Sequence, residues 1–505
     1  MTINLKNPEI ARVISNNMRM IIGFLVGLYV VKGFLRFGED AYQVYVLVVL
    51  GAGVGIMVRE LLRLSLLSYI SRSYAQERNF HSVFSFSKKI SVIFSLGSFF
   101  LLISLIVFFD NLDVDTEYFT SGAWFVFFRA ILTALLVLVA PFSILLLVTG
   151  RQVASNIFLT LERASEFLVM MLCLKFFPHE QGQSVLFFFG LGTALLSFFI
   201  ALFIYSYCKR FVVFPSCLEP IDKTMKKGMV ASLWWALVIV MSMNLYFRFD
   251  VFFIGLYWGG IGVVVIGLAI QLTGMIRQMT VGFINGLDAV YSKLSYSRGS
   301  SSTGKNVVYY MSSLQCIVVF SALAFIYFHS EFLIDLWVGN EVKDQRVIEL
   351  TSDALLIMMF GIAARAISEV WASALTGTGK VKNYAVVIAP GAVLNVLLCF
   401  SLLAFFSEQE LLIAVAGIFT LLQVAFNLVA LSFLVVKEAG FTIRELYYPI
   451  LKPFLFVVMG CAFSFFVKRC FNSGDVGYLF FDMALLSFVG LLFVFSLIKK
   501  GAVEE

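Results

Sequence analysis

Apolar residues in this chain run in long, nearly unbroken stretches, with polar residues gathered in the short gaps between them. About 20 apolar residues suffice to cross a bilayer. Fourteen stretches meet that length, roughly 17–36, 41–70, 89–109, 121–149, 152–177, 184–207, 228–257, 260–293, 306–328, 352–376, 382–406, 409–437, 446–467 and 478–498. The pattern predicts an all-α, polytopic membrane protein with about 14 transmembrane helices. Between 228–257 and 260–293 there is almost no polar loop, and Gly259 and Gly260 fit a tight turn there. Residues 1–17 are polar and no small-residue cleavage site follows the first stretch, so that stretch reads as a membrane helix and not as a removed signal.

Basic residues orient the spans. An even count puts both termini on one side. Of the 37 lysines and arginines, 25 fall on that side, 7 on the other, and five (Arg129, Arg163, Arg248, Arg277, Arg365) inside spans. The positive-inside rule then makes both termini cytoplasmic. On the opposite side the first large loop is acidic, from Asp110 to Glu117.

The two halves echo each other. Leu147-Val-Thr-Gly-Arg-Gln-Val-Ala-Ser-Asn156 and Leu375-Thr-Gly-Thr-Gly-Lys-Val-Lys-Asn383 both set a glycine before a basic residue in a very short turn, about six helices apart. Arg59 and Arg277 both lie in the inner part of the second helix of their half. These features predict two six-helix lobes, 12–207 and 228–437, joined by a basic cytoplasmic linker at 208–227. Because six is even, the lobes are parallel repeats about an axis along the membrane normal. Residues 443–499 supply two extra transmembrane helices.

Composition narrows the function. The chain has 505 residues, 61% hydrophobic and 13% charged, with a net charge of +6. A soluble domain is nearer half apolar and a quarter charged, so a soluble enzyme, a disordered chain and a nucleic-acid-binding module are excluded. The seven cysteines show no CxxC spacing and there are three histidines, which gives no basis for a zinc or haem site. No phosphate-binding glycine loop is visible, which argues against ATP hydrolysis. The reading is a non-enzyme without a cofactor.

Three runs carry a family resemblance. They are Tyr246-Phe-Arg-Phe-Asp-Val-Phe-Phe-Ile-Gly-Leu-Tyr257, Leu333-Ile-Asp-Leu-Trp-Val-Gly-Asn-Glu341, and Gly377-Thr-Gly-Lys-Val-Lys-Asn-Tyr384 followed by Ala392-Val-Leu-Asn-Val-Leu-Leu398. They resemble, in turn, the seventh helix, the outer loop before the tenth helix and the tenth-to-eleventh region of Wzx-type flippases. These belong to the polysaccharide transporter family of the multidrug/oligosaccharidyl-lipid/polysaccharide (MOP) exporter superfamily. The resemblance implies a MATE-like arrangement of the two lobes in a bacterial inner membrane. It implies translocation of an undecaprenyl-diphosphate-linked glycan, such as an O-antigen repeat unit, by alternating access. Na⁺ or H⁺, and a polysaccharide polymerase with its chain-length machinery, would be the partners.

Charges inside spans are the informative residues. An arginine at the bilayer centre costs about 2.5–3.5 kcal/mol, so five facing lipid would cost on the order of 15 kcal/mol. They must face protein, a wet cavity or an interface. At about 1.5 Å rise per residue, Arg163 and Arg365 lie near mid-membrane, Arg59 and Arg277 in the inner half, and Arg129 and Arg248 in the outer half. Together with Arg59 they can form a basic ladder through a central cavity. Arginine suits a diphosphate because its fork donates two hydrogen bonds and its charge does not titrate away. The competing reading is internal pairing: Arg365–Glu369, Arg163–Glu166 and Glu60–Arg63 have helical spacing. Arg248 and Arg277 lack such a partner and are the preferred substrate ligands, whereas Arg129 can snorkel outward. Asp250, Glu369, Glu162, Glu166 and Asp288 are candidates for ion coupling, Asp250 and Glu369 first among them, and charge compensation of nearby arginines is the competing and favoured reading for all five. Trp234, Trp235, Tyr246 and Trp371 are candidates for sugar stacking or for packing. Gly51, Gly53 and Gly55 offer a small face or a bending point.

Other functions compete. A cation-coupled multidrug exporter of the same superfamily usually carries an acid in its first helix, and 20–31 has none. A lipid II flippase shares fourteen helices and a cationic cavity. A membrane glycan polymerase would carry a large outer loop, whereas the longest expected here is 329–351.

Overall fold

Inside a bilayer the backbone finds no water, so apolar stretches must close their hydrogen bonds within helices. The computed structural model describes residues 8–51, 53–75, 79–107, 116–178, 180–212, 222–284, 287–288, 291, 301–342, 344–403, 405–470 and 475–501. The expectations for 110–115, for 213–221 of the linker and for 292–300 lie outside them.

The first half comprises α1 (Pro8–Arg36), α2 (Glu39–Tyr45) continuing as a π-helix (Val46–Gly51), α3 (Val54–Ala75), α4 (Phe80–Ser104), α5 (Thr116–Leu138), α6 (Ala140–Val148), α7 (Gln152–Phe176) and α8 (Gly182–Phe211). The second comprises α9 (Lys223–Phe247), α10 (Phe249–Trp258), α11 (Gly260–Ile284), α12 (Ser301–Val338), α13 (Gln345–Gly377), α14 (Val381–Leu402) and α15 (Glu408–Leu422). A π-helix (Gln423–Ala430) and α16 (Leu431–Ala439) complete it. Then come α17 (Ile443–Cys470) and α18 (Asp475–Gly501).

Among the described residues, twelve helices are long and apolar enough to cross a membrane. The chain is a multi-pass membrane protein. The two further predicted spans, 41–70 and 152–177, are helical as α2–α3 and α7. Arg59, Glu60, Arg63 and Glu162, Arg163, Glu166 make them too charged for that criterion, and these two helices supply much of the chemistry described below.

Helix packing recurs across the halves. α1 lies on α7 as α9 lies on α14; α4 on α5 as α12 on α13; α5 on α8 as α13 on α15. Across the middle, α1 meets α11 and α3 meets α9.

Prolines interrupt helices, and serines from neighbouring helices repair them. Pro141 has no N–H for the Val137 carbonyl, and the chain steps from α5 to α6 there. The Ser91 hydroxyl on α4 donates to that carbonyl instead. Likewise Pro453 cannot serve the Pro449 carbonyl, which accepts from Ser313 on α12 at 3.3 Å. The turn between α10 and α11 forms at Gly259, whose φ of +74° only glycine adopts readily. One expectation is corrected: α12 runs to Val338, so Asp335 and Trp337 are helical and 329–351 is not a long loop.

The last two helices pack on α12 and on each other. A polar triad closes this joint. His329 Nε2 on α12 lies 2.7 Å from Asp482 Oδ2 on α18, and Ser464 on α17 donates to Oδ1 of the same carboxyl. All three residues are buried. Asp482→Ala is expected to destabilise this joint by about 1 kcal/mol, the scale of hydrogen bonds between membrane helices. The double variant His329→Leu/Asp482→Leu should recover most of the loss, because it removes the imidazole and the carboxyl together and leaves only the Ser464 hydroxyl, which can turn to a carbonyl of its own helix. Thermal melts of the detergent-solubilised variants check this; additive losses would contradict it.

Candidate functional site: a cationic cluster between the halves

The site begins at two helix discontinuities, one in each half. The predicted single span 228–257 breaks at Arg248, where φ −134° and ψ −21° leave the α-helical region and separate α9 from α10. The break frees backbone carbonyls. Asn395 on α14 donates to one of them, Leu245 O, at 3.1 Å, and to Asp250 Oδ1 at 3.3 Å. The family-like runs at 246–257 and 392–398 therefore meet in space. In the other half the π-helix ends before α3, with Gly53 at φ +45°. Arg248 crosses to this second break and donates to the Val49 carbonyl at 3.2 Å. Its guanidinium packs where a Cβ on Gly53 would sit, so the bending point among the predicted glycines is the seat of an arginine.

Around this bridge the arginines of both halves converge. Arg59 on α3 donates two hydrogen bonds to Glu162 on α7, at 2.8 and 3.0 Å. Arg63 binds Glu60 one turn back and reaches across to Asp288 of the second half at 2.8 Å. Arg163 pairs with Glu166 at 2.9 Å, and Arg129 joins the same carboxylate at 3.2 Å. Arg19 on α1 lies within electrostatic range of Arg59, Arg63, Arg163 and Glu162. It makes no ion pair among the described residues. Arg248 is within electrostatic range of Arg163 and Arg277, so cations of both halves repel one another here.

In the second half Glu369 on α13 is the hub. Its Oε1 accepts from Arg277 Nε at 2.9 Å and Nη2 at 2.6 Å, and lies 3.5 Å from Arg365 Nε. Arg365 also donates to Asn427, whose amide donates in turn to Gln423 at 2.5 Å. Both amides lie in the second π-helix. Asp250 differs from the other carboxyls. It is fully buried, Asn395 is its donor, and its Oδ2 has no hydrogen-bond partner among the described residues.

Exposure divides the predicted residues. The side chains of Arg59, Arg63, Arg163 and Arg277 keep 25, 28, 34 and 30% of their surface accessible, whereas Arg129 keeps 9% and Arg365 4%. Contacts between helices add to the reading of three of them. Arg129 does not snorkel: it is held over the Phe125 and Phe189 rings and against Glu166, because α5 turns it inward. Arg277 has a close acid, Glu369, which sits 92 positions away and so escapes same-helix spacing. Arg365 and Arg129 are the most buried of these arginines and are held against Glu369 and Glu166. The pairs spaced for one helix face, Arg163–Glu166, Glu60–Arg63 and Arg365–Glu369, all form. Tyr246 and Trp371 are buried packing residues; Trp371 meets the Tyr447 ring at 5.7 Å.

Sequence reasoning missed Arg19, which stands at the start of the first apolar stretch and is not among the five arginines assigned inside spans. It also missed Asn395 as a ligand of Asp250 and Arg63 as a link between halves. The polar Asn inside the apolar run 392–398 was the one local signal.

The MatE family profile matches residues 236–401, from α9 to the end of α14. No curated protein matches the chain in sequence. Among solved structures it is similar to the lipid II flippase MurJ in an inward closed conformation. The TM-score is 0.69 at 13% identity, covering 98% of this chain and 100% of that one. It is similar to a MOP superfamily transporter from Pyrococcus furiosus, at TM-score 0.68 and 14% identity over 85% of this chain and 96% of the other. A MATE in complex with MaL6 matches at TM-score 0.67 and 13% identity, over 85% and 97%. The fold is the one these transporters share.

Proposed function

We propose that this chain is a flippase for a lipid-diphosphate-linked oligosaccharide, with an undecaprenyl-diphosphate-linked O-antigen or similar repeat unit as substrate. Its lobes, 12–207 and 228–437, alternate around a cationic cavity, with both termini in the cytoplasm of a bacterial cell. The observation that carries the reading is the convergence of Arg19, Arg59, Arg163, Arg248 and Arg277 from both halves, of which Arg59, Arg163 and Arg277 keep a quarter to a third of their side-chain surface accessible while ion-paired. Such groups bind phosphate oxygens in forked hydrogen bonds. A mobile anion would exchange with Glu162 and Glu369 for the same donors, which lets it be held and then released. The Arg63–Asp288 bridge ties the halves and must open for the lobes to move.

A second reading, a lipid II flippase, is favoured by one observation: the MurJ similarity extends over 98% of the chain, whereas the MATE similarity covers 85%. A cation-coupled multidrug exporter fits less well, because the polar lining is dominated by arginine.

Asp250 is the coupling candidate among the acids. It is buried without a cationic partner among the described residues, unlike Glu369. A proton or Na⁺ is the ion it would take. The test is deletion of the gene, analysis of lipid extracts for diphosphate-linked glycan, and rescue. Accumulation in the deletion strain, cleared by the wild-type chain, supports the flippase; the sugar composition separates O-antigen-type units from lipid II. Asp250→Asn preserves shape and should reduce the response of clearance to a collapsed ion gradient by about 10-fold while the membrane abundance of the protein stays normal, the scale of one charge-assisted interaction. Unaltered gradient dependence would remove Asp250 from coupling.

A further inference from the structure

The start of α9 carries a feature that the central site does not use. Lys223, Lys226, Lys227, Val230, Ala231, Trp234 and Trp235 recur at three- and four-residue spacing and line one cavity of about 640 Å³. The face changes character along its length. Its first two turns present ammonium groups, the next presents Val230 and Ala231, and the last presents indoles, Trp234 being 62% exposed. Two lysines are seated on rings: Lys226 lies 5.4 Å from the Phe86 centroid on α4, and Lys382 of α14 lies 5.7 Å from that of Trp235. Among the described residues, none of Lys223, Lys226, Lys227 and Lys382 is in an ion pair. The positive end of the helix dipole adds to their charge and is only partly offset by the capping carboxylate Asp222.

We propose that this cavity binds an anionic phospholipid, its phosphate among the three lysines and its acyl chain along Val230, Ala231 and Trp234. The order charge, aliphatic, indole along one face matches the order headgroup, glycerol, chain in a leaflet, and indoles favour that depth. Lysine clusters at the ends of membrane helices attract anionic headgroups. The occupant is a phospholipid and not the transported lipid diphosphate, because the charges here are single ammonium points without the arginine fork that a diphosphate exploits.

The full chain, purified in detergent, is titrated with phosphatidylglycerol or phosphatidylcholine and examined by native mass spectrometry. One phosphatidylglycerol should bind in preference to phosphatidylcholine. Each of Lys226→Gln and Lys227→Gln should weaken it about 5-fold, and Lys223→Ala/Lys226→Ala/Lys227→Ala about 100-fold. Lys88→Ala/Lys89→Ala, exposed lysines on α4, should leave it unchanged. Trp234→Ala, which keeps every charge, should weaken binding of both lipids. The single substitutions carry the test if the triple variant does not fold. Equal binding of the two lipids, or undiminished binding to the lysine variants, overturns the proposal. Displacement of phosphatidylglycerol by equimolar undecaprenyl diphosphate overturns the choice of occupant.

Discussion

Arg248→Ala is expected to lower clearance of the lipid-linked glycan by about 10- to 100-fold, the range for losing a charge-assisted hydrogen bond inside protein. Arg248 stands at the break of α9 and α10 and spans both halves through Val49. Its loss removes a contact between the halves and, under the proposed function, a donor to the substrate phosphate. Arg248→Lys should recover little, since an ammonium offers no planar fork. Gly53→Ala provides an independent test. It leaves every charge in place, yet its Cβ occupies the guanidinium's position, and φ +45° disfavours a side chain. It should reproduce much of the Arg248→Ala defect. Quantified glycolipid in the deletion background, normalised to variant abundance in the membrane, is the measurement. Full clearance by both variants would place Arg248 outside the path.

Glu369→Ala is expected to cost more stability than any other single change at the site, about 3–5 kcal/mol, because it strands a buried positive charge. Arg365, with 4% of its side chain exposed, would keep the Asn427 amide, the Met243 sulfur and the Tyr384 ring as close partners, none of them an anion. Arg277 would lose both of its hydrogen bonds to Glu369. A marked fall in melting temperature and in membrane abundance should follow. Glu369→Gln keeps acceptor capacity and should lose less. The contrast with Asp250→Asn is informative, because that change strands no arginine and should melt near wild type. A Glu369→Ala protein that melts like wild type would show that Arg277 and Arg365 find other partners. Glu369 would then become the stronger candidate for ion coupling.

Much of the architecture follows from one-dimensional rules. Helical segments in lipid must satisfy their own backbone, so the apolar runs specified the helices and their approximate limits. Spacing of three or four residues along a helix brings side chains together without any tertiary information. Arg163–Glu166, Glu60–Arg63 and Arg365–Glu369 were legible for that reason. So was the turn at Gly259, where an absent Cβ permits a positive φ.

What the tertiary structure decided is every pairing between helices. Arg59 with Glu162, Arg63 with Asp288, Arg277 with Glu369 and Asn395 with Asp250 join positions far apart in the chain. No local period encodes such distances. The direction in which each arginine faces was undecided for the same reason. A side chain's facing depends on how its helix rotates against neighbours, and this turned Arg129 inward, buried Arg365 and left Arg163 and Arg277 partly open. The break at Arg248 was likewise hidden, because Phe247, Arg248 and Phe249 contain no glycine or proline. Asn395 and the opposing π-helix stabilise that interruption from other parts of the chain. Sequence determined that charge had to be sheltered within this membrane protein; packing between the halves determined which charges were neutralised and which kept accessible surface.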